Sequence, residues 1–333
     1  MRGWLERRWY APPPAPLALR PLAALYGAIS SARGRRQRAD AQQAGVPVIV
    51  VGNISIGGTG KTPFTLWLVE RLREWGWTPG VVSRGYGGHA PAYPYVVDPH
   101  GDPRFSGDEP LLIAQRARCP VIVDPDRVAA ARELVRGHGV DIIVSDDGLQ
   151  HYRLARDLEI CVVDGRRGLG NGALLPAGPL RETAARLAGV DLVVVNGDGW
   201  QRDGALRMRL LPAPLRRLID GTELQLAALR GQRVHAVAGI GDPSRFFATL
   251  EASGLIVEPH PFDDHHAYGA GDLAFGDDAP VLMTEKDAVK CAAFADARLW
   301  AAPVAAGFDG NDMTRVRQCV DTLRTAQARR NDG

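Results

Sequence analysis

The run Gly57-Gly58-Thr59-Gly60-Lys61-Thr62 follows four apolar residues, Val48-Ile49-Val50-Val51, and precedes a segment of helical character over 63–75. A buried strand that breaks into glycines and then Gly-Lys-Thr has the form of a phosphate-binding loop. Its glycines let backbone N–H groups converge on phosphate oxygens at the N-terminus of a helix, whose dipole favours anions. Lys61 is placed to reach the β- and γ-phosphates, and the Thr62 hydroxyl to ligate Mg²⁺. The loop begins with Ser55 and Ile56, and Ser55 stands where the usual pattern carries a glycine. Lysine usage adds weight: the chain has three lysines, Lys61, Lys286 and Lys290, against 37 arginines. An ammonium on a flexible stem does a different job from a guanidinium fork. The pair in Thr284-Glu285-Lys286-Asp287-Ala288-Val289-Lys290 therefore marks a second candidate site.

Carboxylates and imidazoles supply the remaining chemistry. Asp146 and Asp147 end the apolar run Ile142-Ile143-Val144, a position from which carboxylates commonly bind Mg²⁺ beside a phosphate loop. Strand-end aspartates also serve as plain turn residues. In Gly107-Asp108-Glu109-Pro110, Asp108 reads equally as a helix cap or as a carboxylate accepting a proton from an attacking hydroxyl. Asp263-Asp264-His265-His266 favours acid/base work or charge relay over metal ligation, because further donors cannot be placed. The loop arginines Arg84, Arg166, Arg167 and Arg181 are either solvated or bidentate to the phosphate of an acidic acceptor. Gly148-Leu149-Gln150-His151 could carry polar groups toward nucleotide or acceptor.

Positioning these groups requires a framework of strands and helices. Apolar runs at 46–51, 80–83, 121–124, 142–145, 158–163 and 192–195 alternate with helical stretches at 63–75, 108–118 and 126–138. Such alternation predicts a mostly parallel sheet with helices on both faces. Ligands of such sheets gather at the carboxyl ends of the strands, where the glycine loop, Arg84 and Asp146-Asp147 all fall. Composition shifts near 200–222. Beyond that, a strand at 233–237, a helix at 244–253, a strand at 281–283 and a last helix at about 313–328 predict a smaller second α/β unit. The expected division is 1–45, 46–215 and 216–330.

At 333 residues, 45% hydrophobic and 23% charged, the chain has the composition of a globular protein. A net charge of +2 predicts no nucleic-acid partner. Cys119, Cys161, Cys291 and Cys319 are scattered with no C-x-x-C pair, so neither a zinc site nor a disulfide framework is implied, and reduced cysteines in a cytoplasmic setting are expected. Residues 1–45 carry Trp4, Trp9, Tyr10, a proline cluster at 12–16, an apolar stretch over 17–29, and Arg33, Arg35, Arg36 and Arg38. No run reaches the roughly 18–20 apolar residues that span a bilayer. The segment suits either an anionic membrane surface or packing on the protein's own core.

Residues 51–63, Ser83-Arg84-Gly85-Tyr86-Gly87, Gly107-Asp108-Glu109-Pro110 and Asp146-Asp147-Gly148-Leu149-Gln150-His151 closely resemble motifs of the tetraacyldisaccharide 4′-kinases of lipid A biosynthesis. The likeness continues through residues 175–182, Asp264-His265-His266 and Thr284-Glu285-Lys286-Asp287-Ala288, so it spans about 46–290 in order. The resemblance implies ATP- and Mg²⁺-dependent phosphorylation of the 4′-hydroxyl of a tetraacylated glucosamine disaccharide 1-phosphate, giving lipid IVA. It also implies two α/β/α domains around a cleft, and peripheral residence on the cytoplasmic face of the bacterial inner membrane. Carried onto this sequence, Asp108 is the base assisted by His265, with His266 the other candidate. Residues 55–62 hold the nucleotide, and Thr62, Asp146, Asp147 and Glu109 the metal. Arg84, Tyr86, His151 and Arg181 are expected on the acceptor side. The rival readings are a nucleotide-driven switch or metallochaperone ATPase, which Ile56 in place of a lysine disfavours, and a non-catalytic membrane-binding module.

Overall fold

The computed structural model describes residues 2–11 and 14–331, so Pro12 and Pro13 of the proline cluster lie outside the described residues, as does the side chain of Trp4. The chain opens with α1 (Arg2–Trp9), and a 3₁₀ turn at Leu17–Leu19 leads into α2 (Arg20–Ala39). Pro21 falls in the first turn of α2, where its missing N–H has no intrahelical partner to lose. Arg20 and Pro21 therefore start this helix.

The next stretch contains β1 (Val48–Gly52), α3 (Lys61–Glu74), β2 (Pro79–Ser83), β3 (Tyr95–Val96), α4 (Pro103–Ser106), α5 (Asp108–Ala117) and β4 (Val121–Val123). After these come α6 (Arg127–His138), β5 (Ile142–Asp146), β6 (Leu158–Asp164), β7 (Leu192–Asn196) and β8 (Leu206–Pro212). They build most of a nine-stranded sheet ordered β8-β7-β6-β1-β5-β2-β4-β3 from one side, parallel throughout except at β3. β1 explains why its sequence is a continuous apolar run. Ile49 and Val51 pack with Phe64, Leu68 and Leu72 of α3 on one face, while Val48 and Val50 pack with Val128 and Leu134 of α6 on the other. A strand buried on both faces has no solvent side to carry polar residues.

Residues 213–214 cross to a second sheet. It is formed by β9 (Leu215–Arg217), β10 (Glu223–Leu224), β11 (Arg233–Ala238), β12 (Ile256–Pro261), β13 (Val281–Thr284) and β14 (Leu299–Ala302), with α7 (Pro243–Ala252) and α8 (Glu285–Cys291) between strands. Its order is β10-β9-β14-β13-β11-β12, with a parallel core from β14 to β12. The chain then returns: β15 (Val304–Gly307) pairs antiparallel with β8, completing the first sheet. In α9 (Gly310–Asn331), Val316, Val320 and Leu323 join the core beside α3. Residues 215–302 thus make the second sheet, while 304–331 belong to the first. The architecture is the expected α/β one: a large parallel sheet, a smaller α/β unit and an N-terminal helical segment.

Candidate active site

A cleft of about 1920 Å³ opens between the two sheets. It is lined by the Gly57–Thr62 loop, Asp146 and Asp147, the start of α5, residues 264–265 and Lys286 of the second unit, and one face of α2.

The phosphate loop is held by backbone rather than by chance. Ile56 N–H donates to Pro179 O at 2.9 Å, and Arg181 N–H donates to Ile54 O at 2.7 Å. The 175–182 segment is therefore the clamp on the loop's outer strand. Asn196 Nδ2 donates to Thr59 O at 3.1 Å from the end of β7. Gly60, with φ +91°, turns the chain into α3, and a Cβ there would lie 2.5 Å from that same Asn196 nitrogen. Only glycine satisfies both constraints.

At the end of β5 the two aspartates separate in role. Asp146 is buried and accepts a hydrogen bond from Thr65 Oγ1 at 3.0 Å. Burial, together with the charges of Glu109 and Asp147, pushes its carboxyl up to about 7. Asp147 adopts φ +47°, an uncommon left-handed conformation for a non-glycine residue. This brings its carboxylate 3.5 Å from Lys61 Nζ and 3.3 Å from Arg181 Nη1. Burial works to raise its pKa, but Lys61, Arg181 and Arg127 outweigh that and hold it at about 2. Asp146 and Glu109 repel one another's charge and, with the Thr62 hydroxyl in the same cleft lining, offer the hard oxygen donors that Mg²⁺ takes, while Asp147, the other expected metal ligand, is engaged by Lys61 and Arg181.

Asp108 opens α5 and faces the second unit. Gly107 is the N-cap of α5 and Asp108 its first residue, with Oδ1 accepting from Glu109 N–H at 3.2 Å. Oδ2 is buried without a well-aligned donor, although His265 Nδ1 lies 3.3 Å away and Lys286 Nζ 4.0 Å away. Burial alone would raise the Asp108 pKa; the His265 contact and the Lys286 charge more than offset it and hold it low. His265 is raised in turn, chiefly by its hydrogen-bonding contact with Asp108. His265 also has positive φ, +64°, and its ring lies 5.3 Å from that of Tyr86. His266 turns instead to Asp272 at 3.2 Å and packs against Phe262 and Tyr268. Of the two histidines, only His265 meets Asp108.

Two cleft residues make contacts that no sequence motif specifies. Lys286 Nζ bridges Glu109 at 3.1 Å and Asp264 at 3.5 Å, joining α8 of the second unit to α5 of the first. The scarcity of lysine was the available signal. Lys290 pairs with buried Asp287 at 2.9 Å and lies over the Tyr268 ring, so its role is internal. Arg127, buried at the start of α6, lines the cleft beside Asp147 and Arg84; burial lowers its pKa to about 10. Nothing in its spacing marked it.

Arg84, Tyr86, His151 and Arg181 all line the cleft. Arg84 and Tyr86 are exposed, Arg181 is engaged by Asp147, and His151 is kept neutral, its pKa lowered to about 4 by burial and nearby arginines. Arg166 and Arg167 are not in the cleft lining; they tie the loop after β6 to Asp242 and the Gly241 carbonyl of the second unit, with the Arg167 guanidinium against Gly57 of the phosphate loop.

Residues 15–323 match the family model described as tetraacyldisaccharide-1-P 4′-kinase. A tetraacyldisaccharide 4′-kinase of Alkalilimnicola ehrlichii is 57% identical over 295 residues, covering 87% of this chain and 88% of the relative. One from Pseudomonas aeruginosa is 51% identical over 298 residues, covering 88% and 89%. The crystal structure of LpxK from Aquifex aeolicus in complex with ATP superposes with a TM-score of 0.78 at 26% identity, covering 92% of this chain and 98% of that one.

Proposed function

The chain belongs to the tetraacyldisaccharide-1-phosphate 4′-kinase family, and from that premise we propose how its cleft divides the work of phosphoryl transfer. The reaction moves the γ-phosphoryl group of ATP to the 4′-hydroxyl of a tetraacylated glucosamine disaccharide 1-phosphate, in lipid A biosynthesis. The observation that carries the assignment of roles is the meeting of Asp108, His265 and Lys286 across the cleft from the phosphate loop.

Residues 55–62 bind the phosphates through backbone N–H groups, with Lys61 neutralising their charge. Thr62, Asp146 and Glu109 would hold Mg²⁺, with Asp147 orienting Lys61; the ion supplies charge neutralisation on the phosphoryl oxygens. Asp108 Oδ2 accepts the proton of the 4′-hydroxyl as its oxygen bonds to the γ-phosphorus. The bond from that phosphorus to the β–γ bridging oxygen breaks, and ADP leaves. His265 and Lys286 keep Asp108 ionised, so its capacity as a base is preserved near neutral pH. Arg84, Tyr86, His151 and Arg127 line the remaining polar wall and take the acceptor headgroup.

Membrane contact falls to α2. Leu22, Leu25 and Ile29 lie on one helix face with 53%, 57% and 60% exposure, followed by Arg33, Arg35 and Arg36. The adjoining face of the same helix lines the cleft through Tyr26, Ser30 and Gly34, with Ile29 at the boundary between the two. An interfacial helix so placed delivers a lipid substrate from the bilayer surface into the site. Among the described residues no helix is long and apolar enough to cross a membrane. The test is incubation with γ-labelled ATP, Mg²⁺ and the disaccharide 1-phosphate lipid. Label in the lipid product is expected; ATP hydrolysis without labelled lipid would revive the switch-ATPase reading.

A further inference from the structure

The second sheet carries a cluster that phosphoryl transfer does not use. His235 on β11 is paired in register with Glu258 on β12, and His260 lies two residues further along β12 on the same face. His235 Nδ1 is 3.0 Å from His260 Nε2 and 3.6 Å from a Glu258 oxygen, while His260 Nε2 is 4.0 Å from the other Glu258 oxygen. None of the three lines the cleft.

The tautomer of His235 is set from behind. Its Nε2 faces Asp277 Oδ1 at 3.1 Å, so that nitrogen carries the hydrogen and donates. Nδ1 is thereby left with a lone pair directed at His260 and Glu258. A carboxylate that fixes an imidazole with its other nitrogen free is the outer-shell arrangement of metal-ligating histidines. Phe275 stacks on both rings, at 4.3 Å from His235 and 4.0 Å from His260, and fixes their planes.

We propose that His235, His260 and Glu258 form a binding site for a divalent cation of the Zn²⁺ class, separate from the nucleotide site. Two bonds of roughly 2.0–2.1 Å at a tetrahedral angle separate ligand nitrogens by about 3.3 Å. The observed 3.0 Å therefore needs to open by only a few tenths of an ångström. Nitrogen-rich ligation with one carboxylate favours zinc, cobalt or nickel over Mg²⁺. His260 enters as a neutral ligand by moving its proton from Nε2 to Nδ1, and a water completes the tetrahedron. Arg233, 3.5 Å from Glu258 and paired with Asp277, is half-exposed and its hold on Glu258 is weak. β12 is the sheet's edge, interrupted by Pro259 and Pro261 and hydrogen-bonded on one side only. A cation shared by β11 and β12 would clamp that edge to the buried core.

The full chain, stripped with EDTA, is titrated with Zn²⁺ alone by calorimetry, alongside His260→Ala, Glu258→Gln and Asp277→Asn. The expected result is one equivalent bound by the wild type. Asp277→Asn should bind about 10–100-fold more weakly, and His260→Ala more weakly still. Glu258 is half-exposed, so Glu258→Gln controls for misfolding and should also lose affinity. Imidazole proton signals of His235 and His260 should move with Zn²⁺ and stay with Mg²⁺. Equal stoichiometry and affinity in all four proteins, as zinc captured by Asp108 and His265 would give, overturns the proposal. Absence of binding to the wild type does so as well, leaving a hydrogen-bonded histidine pair.

Discussion

Gly60→Ala is expected to unseat the phosphate loop before any nucleotide is present. At φ +91° an alanine enters a conformation that L side chains rarely adopt, at a cost of about 1–3 kcal/mol. Its Cβ would sit 2.5 Å from Asn196 Nδ2 and 3.1 Å from Met208 Cε. Relieving that overlap in a packed site costs about 1–3 kcal/mol more. Asn196 would also lose its bond to Thr59 O, a contribution of about 1 kcal/mol. These terms overlap, and about 3–5 kcal/mol in all is a large part of a domain's stability. Gly58→Ala is the internal control: its backbone needs no positive φ and nothing lies within 4 Å of the added methyl. Thermal unfolding of the two nucleotide-free variants should put Gly60→Ala lower by several degrees, on the order of 5–10 °C. Gly58→Ala should melt at or slightly above the wild type. Binding of a fluorescent ATP analogue should be lost in Gly60→Ala. A Gly60→Ala protein with unchanged melting and ATP affinity would refute the geometry assigned to the loop.

Lys286→Met removes the positive charge between Asp108, Glu109 and Asp264 while keeping the stem. Asp108, held low in the wild type partly by that charge, should bind its proton more tightly, and the acid limb of the kcat/KM profile should move to higher pH. An unmoved limb would separate Lys286 from the ionisation that governs turnover. Thr62→Ala should raise the Mg²⁺ concentration needed for half-maximal activity, and an unchanged requirement would remove Thr62 from the metal's coordination. Leu22→Asp with Leu25→Asp places two charges on the exposed face of α2, outside the cleft. Liposome flotation should fall at least about tenfold, since each half-exposed side chain contributes roughly 1 kcal/mol on burial. Retained flotation would move the membrane contact elsewhere.

Much of this site is legible in the sequence because parallel-sheet chemistry is local. Each strand end that bears chemistry, at Gly57–Thr62, at Arg84 and at Asp146-Asp147, follows a run whose burial on both faces makes it apolar and conspicuous. The second sheet is harder to read. β9, β10 and β14 are two to four residues long, and β12 is interrupted by prolines and half-exposed, so none carries a clear period. The return of β15 and α9 to the first sheet is set by long-range pairing with β8 and by packing on α3, which no short window contains. The same holds for Lys286 and Arg127. Their residue types were visible, but their partners come from elements 177 positions away in one case and from a buried helix start in the other. The choice between His265 and His266 depended on a positive φ that turns one ring into the cleft and leaves the other against Asp272.

The central claim is that Asp108 takes the proton of the acceptor hydroxyl. Its most direct measurement is single-turnover transfer of label from γ-labelled ATP to the disaccharide 1-phosphate lipid by the wild type and by Asp108→Asn, with ATP affinity measured in parallel. The account predicts a fall in the transfer rate of about 10²–10⁴ with ATP binding preserved. Transfer by Asp108→Asn at close to the wild-type rate would contradict it.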